Sequence, residues 1–197
     1  RPAGWCEMIA RLWPVKAVIG ENGAFYFSYE NKKMHRFFVF DQRTQLENRQ
    51  KLKQVEKEIL AQVPGAAPAS DQVTRLFDLA IYFCEDVSPL GSQEVEKIQT
   101  IFTDHGAQAK VSSIHVNGWF GEYNKASMCE TLIQDLYQNS LAEKQKDMAF
   151  IGDSPNDEPL FQLFENSVAV ANLLKFKNQI NHPPRYICSK EGGDGFV

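Results

Sequence analysis

The stretch that decides the fold is AFIGDSPNDEPLF, from Ala149 to Phe161. Small and apolar residues lead into Gly152. Asp153, Ser154, Pro155, Asn156, Asp157 and Glu158 follow, and an apolar helical pattern resumes at Leu160 and Phe161. Carboxylates this close repel one another, so the cluster calls for a cation or open water nearby. A buried strand that ends in Gly-Asp ahead of a helix puts these acids at the carboxyl end of a strand, where open α/β sheets bind ligands. Carboxylate oxygens suit a hard cation such as magnesium. Asp153 is therefore a candidate metal ligand, Asp157 a candidate to hold a metal-bound water, and Asn156 a candidate donor to a phosphate oxygen. A plainer role fits the same residues: Asp153 or Ser154 caps the helix opened by Pro155, and Asp157 and Glu158 complement its dipole. The spacing excludes a calcium EF-hand loop. Pro155 and Glu158 stand where that loop needs an acid or Asn at its third position and Gly at its sixth.

Around this turn, Lys125–Tyr137 reads as a helix with Cys129, Leu132, Ile133 and Leu136 inward. SVAVA (167–171) and RYICS (185–189) read as strands. Short apolar strands alternating with helices are the pattern of a parallel α/β sheet. Upstream the style differs. Pro2 to Trp13 reads as a helix with Trp5, Met8, Ile9 and Leu12 on one face, and Val15–Ile19 as a short strand stopped by GENG. AFYFSYE and MHRFFVF flank the polar NKK as a hairpin. Thr44 and Glu47 form a capping box ahead of a helix with the stripe Leu52, Val55, Ile59 and Val63. LFDLAIYF (76–83) is a strand. Ser92 opens a helix carrying Val95, Ile98, Ile101 and Phe102 that closes at Gly106. AKVSSIHVNGWF (109–120) supplies one or two more strands. The middle of the chain thus reads as an antiparallel sheet with helices on one face. The fold class is α/β: a discontinuous parallel-sheet core, residues 1–24 and 119–197, with an inserted α+β module, residues 25–118.

A length of 197 residues, with 43% hydrophobic and 23% charged content, is ample for a core. The net charge of −4 argues against a general nucleic-acid binder, and no apolar run reaches the length of a membrane span. Cys6, Cys84, Cys129 and Cys188 lack metal-site spacing; Cys84 and Cys129 sit in apolar runs, so buried free thiols in a reducing cytosol are expected. Lys125 follows Asn124, an N-cap residue, and lies in the first helical turn. A cation there opposes the helix dipole by roughly 0.3–1 kcal/mol, which makes sense beside an anion; a solvated surface Lys is the plainer alternative. Gly20 and Gly23 around Glu21 and Asn22 permit a tight turn. SSIHVNGW contributes His115, Asn117 and Trp119, although a lone His is more often structural than catalytic.

Taken together, these segments resemble the haloacid-dehalogenase (HAD) superfamily of phosphatases, in the sugar-phosphate branch with a large α+β cap, as in Cof-like and sucrose-phosphatase-like proteins. FIGDSPNDEPLF resembles the family's fourth motif, G-D-x-x-N-D, through Gly152, Asp153, Asn156 and Asp157. YNKASMCETLI resembles the third motif, a Lys opening a helix. RPAGWCEMI resembles the residues after the hydroxyl residue of the second motif, ENGA the exit from core to cap, and SVAVAN the strand after the metal turn, ending at Asn172. The family's D-x-D nucleophile motif occurs nowhere in the chain. The second motif's hydroxyl residue belongs just before Arg1, and GGDGFV stops where the family starts a last helix. The resemblance therefore implies that the chain begins inside the enzyme, with a strand-helix-strand unit of roughly 30 residues or more preceding it.

What the resemblance implies is a magnesium-dependent phosphomonoesterase acting on a small phosphorylated metabolite, a sugar phosphate, through an aspartyl-phosphate. Mg2+ would be held by Asp153 with Asp157 supporting its shell. Lys125 and Asp157 would be catalytic, and Asn156 and Arg1 would meet the substrate. Arg75, His115 and Asn117 would reach the leaving group from the cap, which closes over the site. No nucleic-acid or membrane partner is expected. The alternative is a non-catalytic HAD-like binding or scaffold protein without the nucleophile. In the family's topology the missing strands stand between the segment near Val15–Ile19 and that near Met148–Ile151. With neighbouring strands about 4.8 Å apart, the two would lie roughly 14 Å from each other and would not pair directly.

Overall fold

Helix α1 (Ala3–Leu12) opens behind Pro2, whose φ of −59° is already set for a helix start. It turns inward a different face from the one its large side chains suggest. Ala3, Cys6 and Ala10 are buried, while Trp5, Met8 and Leu12 are 49%, 44% and 74% exposed. The reason is close approach to strand β1 (Val18–Gly20): a Cβ on Gly20 would stand 2.8 Å from Cys6 Sγ. Only small side chains fit at that separation.

This is a computed structural model that describes residues 1–197 apart from the side chain of Gln179. It forms two compact units, Arg1–Tyr123 and Asn124–Val197, divided once, after Tyr123. In the first, β2 (Phe25–Glu30) and β3 (Lys33–Phe38) make the expected hairpin. Asn31 and Lys32 form its two-residue turn with φ of 50° and 62°, the left-handed pair that matches strand twist. β1 pairs antiparallel with β2. Phe25, Phe27, Phe38, Phe77 and Tyr123 cluster against the small face of α1.

Helix α2 (Gln42–Gln62) starts one turn earlier than the capping box implies. Asp41 is the N-cap, accepting from the Thr44 amide at 2.8 Å, and Glu47 pairs with Arg43 instead. Its stripe Leu52, Val55, Ile59 and Val63 is buried as expected. A four-stranded antiparallel sheet follows in the order β4-β5-β7-β6, from β4 (Ala67–Pro68), β5 (Asp78–Tyr82), β6 (Gln108–Val111) and β7 (His115–Trp119). Helix α3 (Ser92–Asp104) has Gly91 at its N-cap, so Ser92 is its first helical residue rather than its cap. Gly106 closes it with a φ of +75°. Leu79, Ile81 and Val116 from the sheet form one core with α2 and with Ile98, Ile101 and Phe102 of α3.

The second unit holds α4 (Lys125–Tyr137), α5 (Leu141–Lys144), β8 (Ala149–Gly152), α6 (Glu158–Leu163), β9 (Asn166–Ala169), β10 (Tyr186–Ile187) and α7 (Gly192–Phe196). Its strands are parallel, in the order β10-β9-β8, the α/β signature expected. Ile133, Leu141, Leu160 and Phe164 form its main core, with Phe150 packed against them. β1 takes its ladder from β2, and β8 takes its ladder from β9. Among the described residues no helix is long and apolar enough to cross a membrane, and the four cysteines are free.

Candidate active site

β8 ends at Gly152, and the chain turns through Pro155–Asp157 into α6. A Cβ on Gly152 would lie 2.9 Å from both Asp157 Cβ and Asp157 Oδ2. Glycine therefore lets Asp157 fold back beneath the strand end. There Asp157 Oδ2 accepts from the amides of Asp153 at 3.0 Å and Ser154 at 3.3 Å. Its other oxygen, Oδ1, accepts from Lys125 Nζ at 3.0 Å. Burial alone raises the Asp157 carboxyl, but the Lys125 charge and the two amides outweigh it and hold the group below the usual carboxylate range.

Lys125 owes its place to the start of α4. Asn124 accepts from the Ser127 amide at 3.0 Å while Ser127 Oγ accepts from the Asn124 amide at 3.2 Å, a reciprocal cap. The Lys so fixed in the first turn works against the helix dipole, and the buried Asp157 carboxylate compensates it.

The opening puzzle of the crowded acids resolves by division. Glu158 turns to the Asn181 and His182 amides, at 2.8 and 2.7 Å. Asp157 faces Lys125 and its own turn. Asp153 takes part in no ion pair among the described residues; its carboxyl is raised, first by partial burial and then by the Asp157 charge. Asn156 sits between them in the same turn. Among the described residues no group of three or more His, Cys, Asp or Glu converges as a ready metal cage. Magnesium binds through one or two carboxylates with waters and phosphate for the rest, so Asp153 and Asp157 are the residues that could hold it. Asp153 offers the available oxygens, with Asp157 behind it.

The remaining sequence candidates lie in the first unit. Arg75 is buried, its side chain 6% exposed, and its guanidinium donates to Asp71 at 3.0 Å and Asp78 at 2.9 Å. Asn117 donates to the other oxygen of Asp78 at 2.7 Å. His115 bonds Ser112 Oγ at 2.7 Å and stacks on Tyr82; burial lowers its pKa. Arg1 is exposed, and its carbonyl accepts from the Glu21 amide. The structure thus brings Lys125, Asp153, Asn156 and Asp157 together, and joins Arg75 to Asn117 through Asp78. His115, two residues from Asn117 on β7, feels the charges of Arg75, Asp78 and Asp71 beside that second group. Asp78 escaped the sequence reading, although an acid inside the apolar run LFDLAIYF signals a buried partner.

The sequence matches no protein-family model and no curated protein. Solved structures do resemble it. Protein 0175 of Thermoplasma acidophilum shares 15% identity at a TM-score of 0.71, over 99% of this chain and 76% of that one. The sucrose-phosphatase of Synechocystis, solved with sucrose and phosphate, shares 17% at a TM-score of 0.59, over 95% and 74%. A haloacid dehalogenase-like hydrolase of Bacteroides thetaiotaomicron shares 13% at 0.56, over 87% and 70%. The fold is HAD-like. In this HAD-like fold the Gly152–Asp157 turn stands at the carboxyl end of a parallel strand, and the Lys that opens α4 reaches it directly.

Proposed function

We propose that the chain carries the metal and lysine side of a magnesium-dependent phosphomonoesterase that acts on a small phosphorylated metabolite, a sugar phosphate, in the cytosol. The observation that carries this reading is the Lys125–Asp157 pair at the end of β8, with Asp153 beside it and without a cation of its own. When bound, Mg2+ supplies charge that offsets the phosphate and orients it. Asp153 gives it oxygen ligands, and Asp157 holds the turn and Lys125 in place. Lys125 presents an ammonium to the transferring phosphoryl group, and Asn156 donates to a phosphate oxygen. The attacking carboxylate would be an aspartate. It would form a bond to phosphorus as the ester P–O bond breaks; the alkoxide leaves with a proton taken from solvent, and water then cleaves the aspartyl-phosphate to inorganic phosphate.

The Synechocystis neighbour's sucrose and phosphate support a sugar phosphate as the substrate class. The lack of D-x-D in these 197 residues favours a second reading, a HAD-like binding protein without turnover. Phosphate release by the whole gene product, measured with Mg2+ across hexose phosphates, nucleotides and phosphoamino acids, separates the readings. Preferred turnover of a hexose phosphate is expected; binding without release supports the second.

A further inference from the structure

A second carboxylate stands outside the acidic turn and is more deeply buried. Glu21 is 1% exposed, in the turn between β1 and β2. Its φ is 40°, a left-handed value uncommon for a non-glycine residue, and that of Asn22 is 59°, which Asn tolerates more readily. The Glu21 side chain is anchored at both oxygens. Oε1 accepts from the Ala3 amide at 2.8 Å and the Leu76 amide at 3.0 Å. Oε2 accepts from Leu76 at 2.9 Å, from Phe77, and from Asp78 at 3.2 Å. One carboxylate therefore joins the first turn of α1, the β1–β2 turn and the start of β5.

The charged and titratable groups around it are few. From β5 comes Asp78, itself buried and bonded to Asn22 and Asn117. Arg75, the cation of this cluster, is divided between Asp78 and Asp71. From α1 comes the Cys6 thiol, and from beyond β7 the Tyr123 hydroxyl; both are raised mainly by burial and both feel Glu21. The Arg1 charge reaches Cys6 from the start of α1. Burial first, and the Asp78 charge second, push Glu21 up to about 7 against the pull of its amide donors.

We propose that Glu21 is a proton-operated latch that fastens the first turn of α1 to the start of β5. An ionised carboxylate accepts at both oxygens, whereas the acid form turns one of them into a donor. Oε1 serves fewer amides than Oε2, so it takes the proton, drawn from solvent, at the smaller loss. The Ala3 amide then faces a hydroxyl oxygen that accepts more weakly, and its bond loosens, while Oε2 still holds Phe77 and Asp78 to the turn. Acidification unfastens α1 and leaves the β1–β2 turn attached to β5.

The test is an NMR titration of the isotope-labelled chain between pH 4.5 and 9. The Glu21 carboxyl carbon should titrate near pH 7, and the Ala3 amide should shift with the same midpoint. Below it, Ala3 should lose exchange protection by at least about tenfold, the loss of one charge-assisted hydrogen bond. In Glu21→Gln the Ala3 amide should stop titrating in this window. A Glu21 midpoint below about 5, an Ala3 amide indifferent to it, or an Ala3 titration that survives in Glu21→Gln would overturn the proposal. Should Glu21→Gln not fold, the wild-type carboxyl and Ala3 titrations alone decide.

Discussion

Asp157 spends both carboxylate oxygens inside the protein, one on Lys125 and one on the amides of its own turn. Its folded pKa lies below the ordinary 3.8, so its contribution to stability is present above pH 3.8 and is lost as pH falls through the folded value. Lys125→Ala removes that benefit. At pH 7 it should cost roughly 1–3 kcal/mol in urea unfolding, and the cost should shrink as pH falls through the folded value and Asp157 takes up its proton. Turnover in the whole gene product should fall further, by about 100-fold or more. Gly152→Ala should cost roughly 1–3 kcal/mol by overpacking, because its methyl meets Asp157 at 2.9 Å; thermal unfolding reads this. That Asp153, Asn156 and Asp157 share one turn was legible because they lie close together in the sequence. The Lys125–Asp157 contact spans 32 residues and leaves no local trace. Arg75 read as a substrate contact because sequence does not show that Asp71 and Asp78 converge on its guanidinium.

Elements were legible where local chemistry settles them. The hairpin turn at Asn31–Lys32 and the Asn124 cap before α4 are written in a few adjacent residues. Helix α1 shows the limit. Periodicity says which residues share a face, but Trp5, Met8 and Leu12 compete with Ala3, Cys6 and Ala10, and the choice rests on how near β1 comes. At α2 two capping residues lay within one turn, and Asp41 took the role read for Thr44. Asp41→Ala should therefore lower the urea midpoint, because the Thr44 amide loses its acceptor.

For the molecule as a whole, the change from antiparallel strands upstream to parallel strands after Lys125 was visible in the alternation of helices and short apolar runs. Where the compact units divide was not, since it depends on long-range packing. Stability against pH also belongs to this scale. Glu21 has its folded pKa raised from 4.5 to about 7, so the fold favours its protonated form: global stability is greatest below pH 4.5, where the latch is open, and falls as pH rises to about 7 and the buried carboxylate ionises to fasten α1. Urea midpoints of the wild type should fall over that interval, and Glu21→Gln should flatten the curve.

The central claim is that the turn after β8 is a phosphoryl-transfer site whose metal is held by Asp153. Steady-state hydrolysis of p-nitrophenyl phosphate by the whole gene product, wild type against Asp153→Asn across a Mg2+ titration, tests it most directly. Mg2+-dependent turnover that chelator abolishes is expected, with a loss of about 100-fold or more in Asp153→Asn and the fold intact by circular dichroism. Turnover indifferent to chelator, or undiminished in Asp153→Asn, would contradict it.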